Sequence, residues 1–127
     1  MELNIADKIL SFNLYHTKLA EEFVENRPFT LRFCRKDNFF ISDELDFQPL
    51  TFKHNSKEVS YVHVGDVYYI CELNRVLIAF QDGELERKSN VISLGTYFNP
   101  SMTKEEVNKL LGEYLSNISD VLVLKFK

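Results

Sequence analysis

The feature that most constrains this sequence is its division into many short apolar segments. Leu10, Phe12 and Leu14 alternate with polar residues, which is the period of a strand with one buried face. The longest uninterrupted apolar runs, such as residues 76–80, have about five residues. Turn residues such as Gly65-Asp66 separate these runs. The sequence therefore predicts a mainly β protein built from successive antiparallel strands.

Two segments have the periodicity of a helix instead, and they lie far apart in the chain. Thr17 can cap a short helix that ends before Arg27-Pro28. Thr103 and Glu106 have the spacing of a capping box, which marks the start of a second helix. The predicted buried face of this second helix consists of Val107, Leu110, Leu111, Tyr114 and Leu115.

The order of these elements predicts a closed antiparallel β-barrel with two capping α-helices. Many short strands joined by turns can curl into a barrel, and closure removes the exposed edges of the sheet. We expect one domain over residues 1–127, because the sequence contains no repeat and no linker-like segment. The predicted core comprises Phe12, Leu14, Phe23, Leu31 or its strand neighbours, Val67, Val76, Ile78, Leu94, Leu110, Leu111 and Val123.

Charge and hydropathy exclude several classes of function. The 127 residues include 19 acidic and 15 basic ones, which gives a net charge of −4. Nucleic-acid binders need a concentrated basic face, so we expect no nucleic-acid partner. The apolar runs are far shorter than the ~20 residues that cross a bilayer. Glu2, Asp7 and Lys8 interrupt the N-terminal segment, which therefore lacks the apolar centre of a signal peptide. These features predict a cytoplasmic protein with no membrane partner.

No sequence motif indicates a cofactor or a metal ion. The three histidines are too scattered for a metal motif, and no Walker loop, nucleophile elbow or dinucleotide fingerprint is present. Asp43, Glu44 and Asp46 lack the spacing and central glycine of a calcium loop, so we interpret them as a solvated loop rather than a site for a cation or a basic partner. Cys34 and Cys71 lie in apolar runs and are predicted to be reduced core thiols.

Several segments, taken in order, resemble a known family. Residues 17–23 and 27–31 look like a first barrel helix and the strand that follows it. Val64-Gly65-Asp66-Val67 is more specific, because the family places a Gly-Asp turn at this point. Residues 91–95, Leu110-Leu111 and residues 120–126 resemble later elements of the same family, the small bacterial and archaeal cyclophilin-like domains. These are divergent relatives of the peptidyl-prolyl isomerases called cyclophilins. The resemblance implies a cyclophilin-like form of the closed barrel.

The resemblance also implies a pocket, from whose isomerase form this sequence departs. Cyclophilins place an arginine against the substrate amide, inside a pocket of Phe, Met, Gln, Trp and His side chains. This sequence has no Trp, no Gln-Gly-Gly-Asp segment and no Phe-His-Arg triplet, and Asn90 or Val91 stands where the pocket histidine would lie. Arg32 is the nearest candidate for the arginine. We therefore predict no catalytic residues and no strong isomerase activity.

The predicted ligand-binding residues are Arg32, Phe40, Tyr69, Ile78 and Phe80. An arginine among apolar barrel residues can point into a pocket and bind a carboxylate or a carbonyl. A shift of one residue in register would instead place Arg32 on the solvated outer face, paired with a nearby glutamate. Arg35 and Arg75 are interpreted as ordinary surface charges.

Aromatic residues cluster in the loop that would border this pocket. Phe39, Phe40, Phe47 and Phe52 can hold an apolar ligand or a peptide there. The alternative is that they pack down as the end cap of the barrel, and we expect this for at least two of the four.

Three functions stay open at this point. The leading hypothesis is a module that binds a small-molecule or peptide ligand without strong isomerase activity. The second is a divergent peptidyl-prolyl isomerase. The third is a scaffolding or subunit-interaction protein whose pocket is vestigial. No cofactor is predicted in any of the three, and the sequence does not indicate an oligomeric state.

Overall fold

The computed structural model describes residues 1–36, 38–50, 59–85 and 90–127. In these ranges the elements, in chain order, are β1 (Leu3–Ile5), β2 (Lys8–Leu14), α1 (Lys18–Glu25), β3 (Phe29–Lys36), β4 (Phe39–Ser42), β5 (Tyr61–Val62), β6 (Asp66–Ile70), β7 (Arg75–Ala79), β8 (Gly83–Glu84), β9 (Val91–Phe98), α2 (Lys104–Ser116) and β10 (Val121–Phe126). The mainly β class with two helices is therefore confirmed.

Eight strands form one curled antiparallel sheet in the order β1-β2-β9-β6-β7-β4-β3-β10. The prediction of a closed barrel is wrong, because β1 and β10 are the two edges of this sheet and do not pair within the described residues. The reason lies in β2, whose first half pairs with β1 and whose second half, residues 11–14, pairs with β9. Between β2 and β10 the contact is made by side chains, with the rings of Phe12 and Phe126 at 5.9 Å. The sheet is thus a half-barrel with an open seam.

The pairing of β6 with β9 is irregular next to Gly95. The register between β6 and β9 shifts between Val67 and Tyr68, which is a β-bulge. A Cβ atom on Gly95 would lie 2.5 Å from the carbonyl oxygen of Asn13, so only glycine allows this close approach. Bulges bend a strand and increase its twist. Gly95 therefore lies at a bulge and also allows a close backbone approach.

The two helices cover the inner face of the sheet and begin at the predicted caps. The Thr17 hydroxyl accepts a hydrogen bond from the amide of Ala20 at 3.1 Å. Thr103 and Glu106 form the reciprocal hydrogen bonds of a capping box. The side chains that α2 buries completely are Val107, Leu111 and Leu115, whereas Leu110 and Tyr114 are partly buried against the same core.

The outer face of the sheet carries a second, smaller core. Its buried members are Val62, Tyr68, Ile70, Leu77, Ala79 and Val91. β5 does not pair with the strand that follows it but with β8, in a separate two-stranded ribbon. This ribbon contributes Val62 to the outer core, so the sheet is covered on both faces at this point.

Most of the predicted core residues are buried on the inner face. Phe12, Leu14 and Leu110 are only partly buried. Val123 is wrong, because it is 59% exposed. Its neighbours Leu122 and Leu124 point inward instead, and a register error of one residue exchanges the two faces of a strand. Among the described residues, no helix is both long and apolar enough to span a bilayer.

The difference between Leu111 and Leu110 gives a test of the helix face. Leu111→Ala should lower the free energy of unfolding by about 2–5 kcal/mol, because Leu111 is fully buried and its removal leaves a cavity. Leu110→Ala is the matched control and should cost clearly less, since water reaches part of its side chain. Urea denaturation measures both values. Equal losses would contradict the assigned face of α2.

Candidate functional site

Four of the five residues predicted to bind a ligand lie together in the inner core. Phe40, Tyr69, Ile78 and Phe80 each have an exposed fraction of 8% or less. Phe40 is the cross-strand partner of Ile78, and its ring contacts that of Phe80 edge to face at 5.6 Å. These side chains are packed into the interior of the half-barrel.

Arg32, the fifth predicted residue, lies on the opposite face of the sheet. Leu31 and Phe33 point inward from β3, so the side chain between them points outward. The Arg32 guanidinium lies 3.6 Å from the carboxylate of Asp43, and more than half of each side chain is exposed. Such a pair contributes little to stability. The solvated alternative is therefore the observed arrangement, with an aspartate in place of the expected glutamate.

Arg32 lines a groove of about 210 Å³ along the first half of β3. We call it the β3 groove and define it by residues 29–32 on one side and 43–47 on the other. β4 pairs with β3 only from Phe33 and Ser42 onward. The amide of Asp43 still donates to the carbonyl of Arg32 at 2.9 Å, and beyond that bond no described residue of segment 43–47 pairs with β3. The groove is the space between the strand and this segment.

The β3 groove combines an acidic rim with aromatic side chains. Asp43, Glu44 and Asp46 face a single cation, Arg32, so the rim carries net negative charge. The rings of Phe29 and Phe47 are partly buried and meet edge to face at 5.3 Å. This lining suits a ligand that carries both a basic group and an apolar group.

A buried polar network holds the outer wall of the β3 groove. The Tyr69 hydroxyl donates to the amide oxygen of Asn74 at 2.7 Å. The Asn74 amide nitrogen donates to the carbonyl of Phe47 at 2.9 Å, and the Asn74 carbonyl accepts from the amide of Leu45 at 2.9 Å. Asn74 is 6% exposed and has a φ of 52°, in the left-handed region. One predicted site residue, Tyr69, therefore positions the groove through Asn74 rather than by lining it.

Two residues of this arrangement were not predicted from the sequence. Nothing in the neighbours of Asn74 in the sequence indicates that it is buried. Arg35 was interpreted as a surface charge and is indeed exposed, but its place on the same face as Leu31 and Phe33 was not foreseen. The strand period itself carried that signal, because Arg35 is four residues after Leu31.

The remaining candidate residues are histidines, cysteines, acidic residues and loop phenylalanines. Within the described ranges, no three His, Cys, Asp or Glu side chains are arranged to hold a metal ion. Cys34 is a partly buried free thiol and Cys71 a buried one. Of the loop phenylalanines, Phe39 and Phe47 are partly buried and Phe40 is fully buried, while Phe52 lies outside the described residues.

Three tyrosines are held protonated by the fold. Burial raises the pKa values of Tyr68, Tyr69 and Tyr97 far above the usual value of about 10. The hydroxyl of Tyr68 accepts a hydrogen bond from the amide of His63 at 2.8 Å, which offsets part of this rise. The Tyr97 hydroxyl is buried without a hydrogen-bond partner among the described residues. Burial also raises the pKa of Tyr15, and the negative charge of Asp66 raises it further.

Replacement of Asn74 tests the polar network. Asn74→Ala should lower the free energy of unfolding by about 1–3 kcal/mol, because it removes the buried hydrogen bonds of the Asn74 side chain with the Tyr69 hydroxyl and the Phe47 carbonyl. Asn4→Ala, at an exposed strand position, is the control. Asn74→Gly separates the loss of the side-chain hydrogen bonds from the backbone strain of alanine at this position, since glycine adopts the positive φ without strain. A loss below about 0.5 kcal/mol for Asn74→Ala would show that the network does not hold the segment.

The raised tyrosine pKa values predict how stability depends on pH. A raised pKa in the folded state means that the folded protein binds protons more tightly than the unfolded chain. The resulting stability is complete below the unfolded value of about 10 and is lost as the pH rises above it. An ultraviolet titration of tyrosinate should therefore show at most three of the six tyrosines ionising before the fold is lost. Reversible ionisation of four or more in the folded protein would contradict the burial.

Nearly the whole chain is similar to a known protein family. Residues 3–120 match the family described as the Cyclophilin-like family. No curated protein and no solved structure matches the chain significantly. Because the family match spans nearly the whole chain, and because the curled antiparallel sheet with two helices agrees with it, the chain belongs to the Cyclophilin-like family.

Proposed function

We propose that this protein is a single cytoplasmic domain that binds an extended peptide in the β3 groove, without strong isomerase activity. The observation that carries the proposal is the half of β3 that pairs with β10 on one side but has no strand on its other side, where it faces an acidic wall. The free thiols Cys34 and Cys71 are in keeping with a reducing compartment.

The backbone of β3 offers hydrogen bonds to a ligand in this groove. In an antiparallel strand, the N–H and C=O groups of one residue point to the same side, and this side alternates along the chain. The carbonyl of Arg32 accepts from Asp43, so the backbone groups of Thr30, two residues earlier, also point toward the groove. No described residue pairs with Thr30 on that side. An extended peptide that adds to this edge would bind by β-augmentation.

The size and charge of the groove favour a peptide over a free small molecule. Pockets for drug-sized ligands enclose roughly 300–1,000 Å³, and the β3 groove has about 210 Å³. Asp43, Glu44 and Asp46 attract a basic side chain, while Phe29 and Phe47 offer an apolar surface to its neighbour. Arg32 would contact the peptide at the same rim, where its pairing with Asp43 is exposed and easily exchanged.

The positions of Arg32 and of the buried aromatic residues disfavour strong isomerase activity. Cyclophilin-type catalysis needs an arginine aimed at the substrate amide and an apolar wall beside the proline ring, held in place together. Phe40, Ile78 and Phe80 are covered by the core, and Arg32 points away from them. Loss of a single well-placed hydrogen bond in such a site costs ~10²-fold or more in rate. We therefore propose that the inner residues support the groove and do not catalyse.

The absence of strong isomerase activity is tested by the cis-to-trans conversion of an Ala-Pro peptide at micromolar protein. The expected rate is close to the uncatalysed background for the wild type and for Arg32→Ala alike. A wild-type rate clearly above background that Arg32→Ala abolishes would replace this proposal by that of a divergent isomerase.

Peptide binding is tested with a fluorescent hexapeptide of alternating Val and Lys, compared with one of alternating Val and Glu. The basic peptide should bind more tightly. Glu44→Gln with Asp46→Asn should weaken it about two- to twentyfold, whereas Glu72→Gln with Glu113→Gln, which changes the net charge equally at exposed positions that do not line the groove, should not. Thermal denaturation of each variant checks that the fold is kept.

Thr30→Pro tests the backbone contact. Proline removes the N–H that points toward the groove, and the pairing of β3 with β10 does not use that group. Binding of the basic peptide should be lost while the melting temperature stays near that of the wild type. Undiminished binding by a folded Thr30→Pro variant would show that the peptide does not add to the strand.

A further inference from the structure

A second groove, larger than the first, lies in the angle between the end of β2 and helix α1. It has a volume of about 380 Å³, within the roughly 300–1,000 Å³ that small-molecule sites enclose. We call it the α1 groove, and it shares no lining residue with the β3 groove. Its lining residues are Leu14, Tyr15, His16, Ala20, Glu21, Val24 and Glu25.

The walls of the α1 groove are fixed by backbone hydrogen bonds. The amide of Tyr15 donates to the carbonyl of Leu94 on β9 at 3.1 Å, and the amide of Thr17 donates to the carbonyl of Tyr15 at 2.9 Å. Thr17 then caps α1 through its hydroxyl. The strand end and the first turn of the helix are thus held at a set angle, so the groove is preformed.

The rim of the α1 groove carries two carboxylates, Glu21 in the first turn of α1 and Glu25 in its last turn. Glu21 and Glu25 are four residues apart on α1, and like charges at this spacing repel each other. Glu25 also lies in the last turn, where a negative charge opposes the helix dipole. Neither carboxylate has an ion pair within the described ranges. The nearby Arg27 instead donates to the carbonyls of Val24 and Lys127.

The floor of the groove is apolar and aromatic. Tyr15 and Val24 are each 37% exposed, although most large apolar side chains of the described residues are buried. A tyrosine ring attracts a cation that lies over its face. The groove therefore offers an apolar surface, an aromatic ring and two unpaired negative charges to the same ligand.

We propose that the α1 groove binds a small organic cation, namely an ammonium group carried on a short apolar body. The ammonium group lies between Glu21 and Glu25 and against the ring of Tyr15, and the apolar body covers Val24. A bound cation removes the repulsion between the two glutamates and the conflict of Glu25 with the helix dipole. This site is separate from the peptide groove, so either one can fail in a test without the other.

The experiment is an amide NMR titration of the full chain with cyclohexylammonium, compared with cyclohexanol as its neutral counterpart. We expect saturable shifts at Tyr15, Ala20 and Val24, with cyclohexanol at least about fivefold weaker. Each exposed carboxylate should account for about a two- to fivefold change in affinity. Glu21→Gln with Glu25→Gln should therefore weaken binding about four- to twenty-fivefold, and thermal denaturation of the variant checks that the fold is kept.

The matched control is Glu72→Gln with Glu113→Gln, which lowers the net negative charge by the same amount outside the groove. Its affinity for cyclohexylammonium should equal that of the wild type. Three results would overturn the proposal: shifts that do not saturate or that fall elsewhere, cyclohexanol binding as tightly as cyclohexylammonium, or equal affinity in the groove variant and the wild type. An equal loss in the control variant would also overturn it, because the attraction would then be due to net charge alone.

Discussion

The ring of Phe23 is the contact on which the rest of this structure depends. It projects from α1 into the half-barrel, is fully buried, and meets the ring of Tyr69 on β6 at 5.7 Å and that of Phe126 on β10 at 6.2 Å. It also meets Phe47 in the groove wall edge to face at 5.2 Å. Because the two edges of the sheet do not pair, ring contacts of this kind hold the seam that a barrel would close with backbone hydrogen bonds. Aromatic pairs stabilise by burial and by their edge-to-face geometry, and they do not require a fixed strand register.

The same packing fills the interior of the half-barrel and leaves the two grooves open to a ligand beside it. Side chains that would border a pocket in an open barrel, such as Phe40 and Ile78, are used to fill the interior. Tyr69 has two functions at once, since its ring packs on Phe23 and its hydroxyl bonds Asn74. Through Asn74 the core fixes the backbone of segment 43–47, which carries the acidic rim. The groove wall is therefore irregular in backbone but is held by buried hydrogen bonds.

The sequence predicted the elements of this fold better than their relations. Period and capping residues indicated both helices and most strands, because these signals are local, as at Thr17 and Thr103. Closure depends on whether two strands distant in sequence meet, and nothing local encodes the divided pairing of β2. The prediction that Val123 is buried was wrong for a similar reason. Residues 121–124 are all apolar, so the sequence does not indicate which face of the strand points inward. The β3 groove exists because β4 ends at Ser42 while β3 continues, and the length of one strand relative to another is not a property of either segment.

Arg35, the arginine on the inner face of the sheet, binds the end of α2 and is not directed at a ligand. Arg35, not Arg32, shares the inner face with Leu31 and Phe33. Its guanidinium donates to the carbonyls of Ser116 and Ile118 at 2.7 and 2.9 Å and lies 4.6 Å from the ring centre of Phe80. A positive charge at the C-terminus of α2 is favourable, because it satisfies carbonyl groups that the helix leaves without partners. The guanidinium is thus bound by two carbonyls and a ring, and to reach a substrate amide it would have to release the end of α2. Both arginines are exposed, but they differ in their partners: Arg35 is held at the end of α2, whereas the exposed pair of Arg32 with Asp43 can be replaced by a ligand without disturbing the fold.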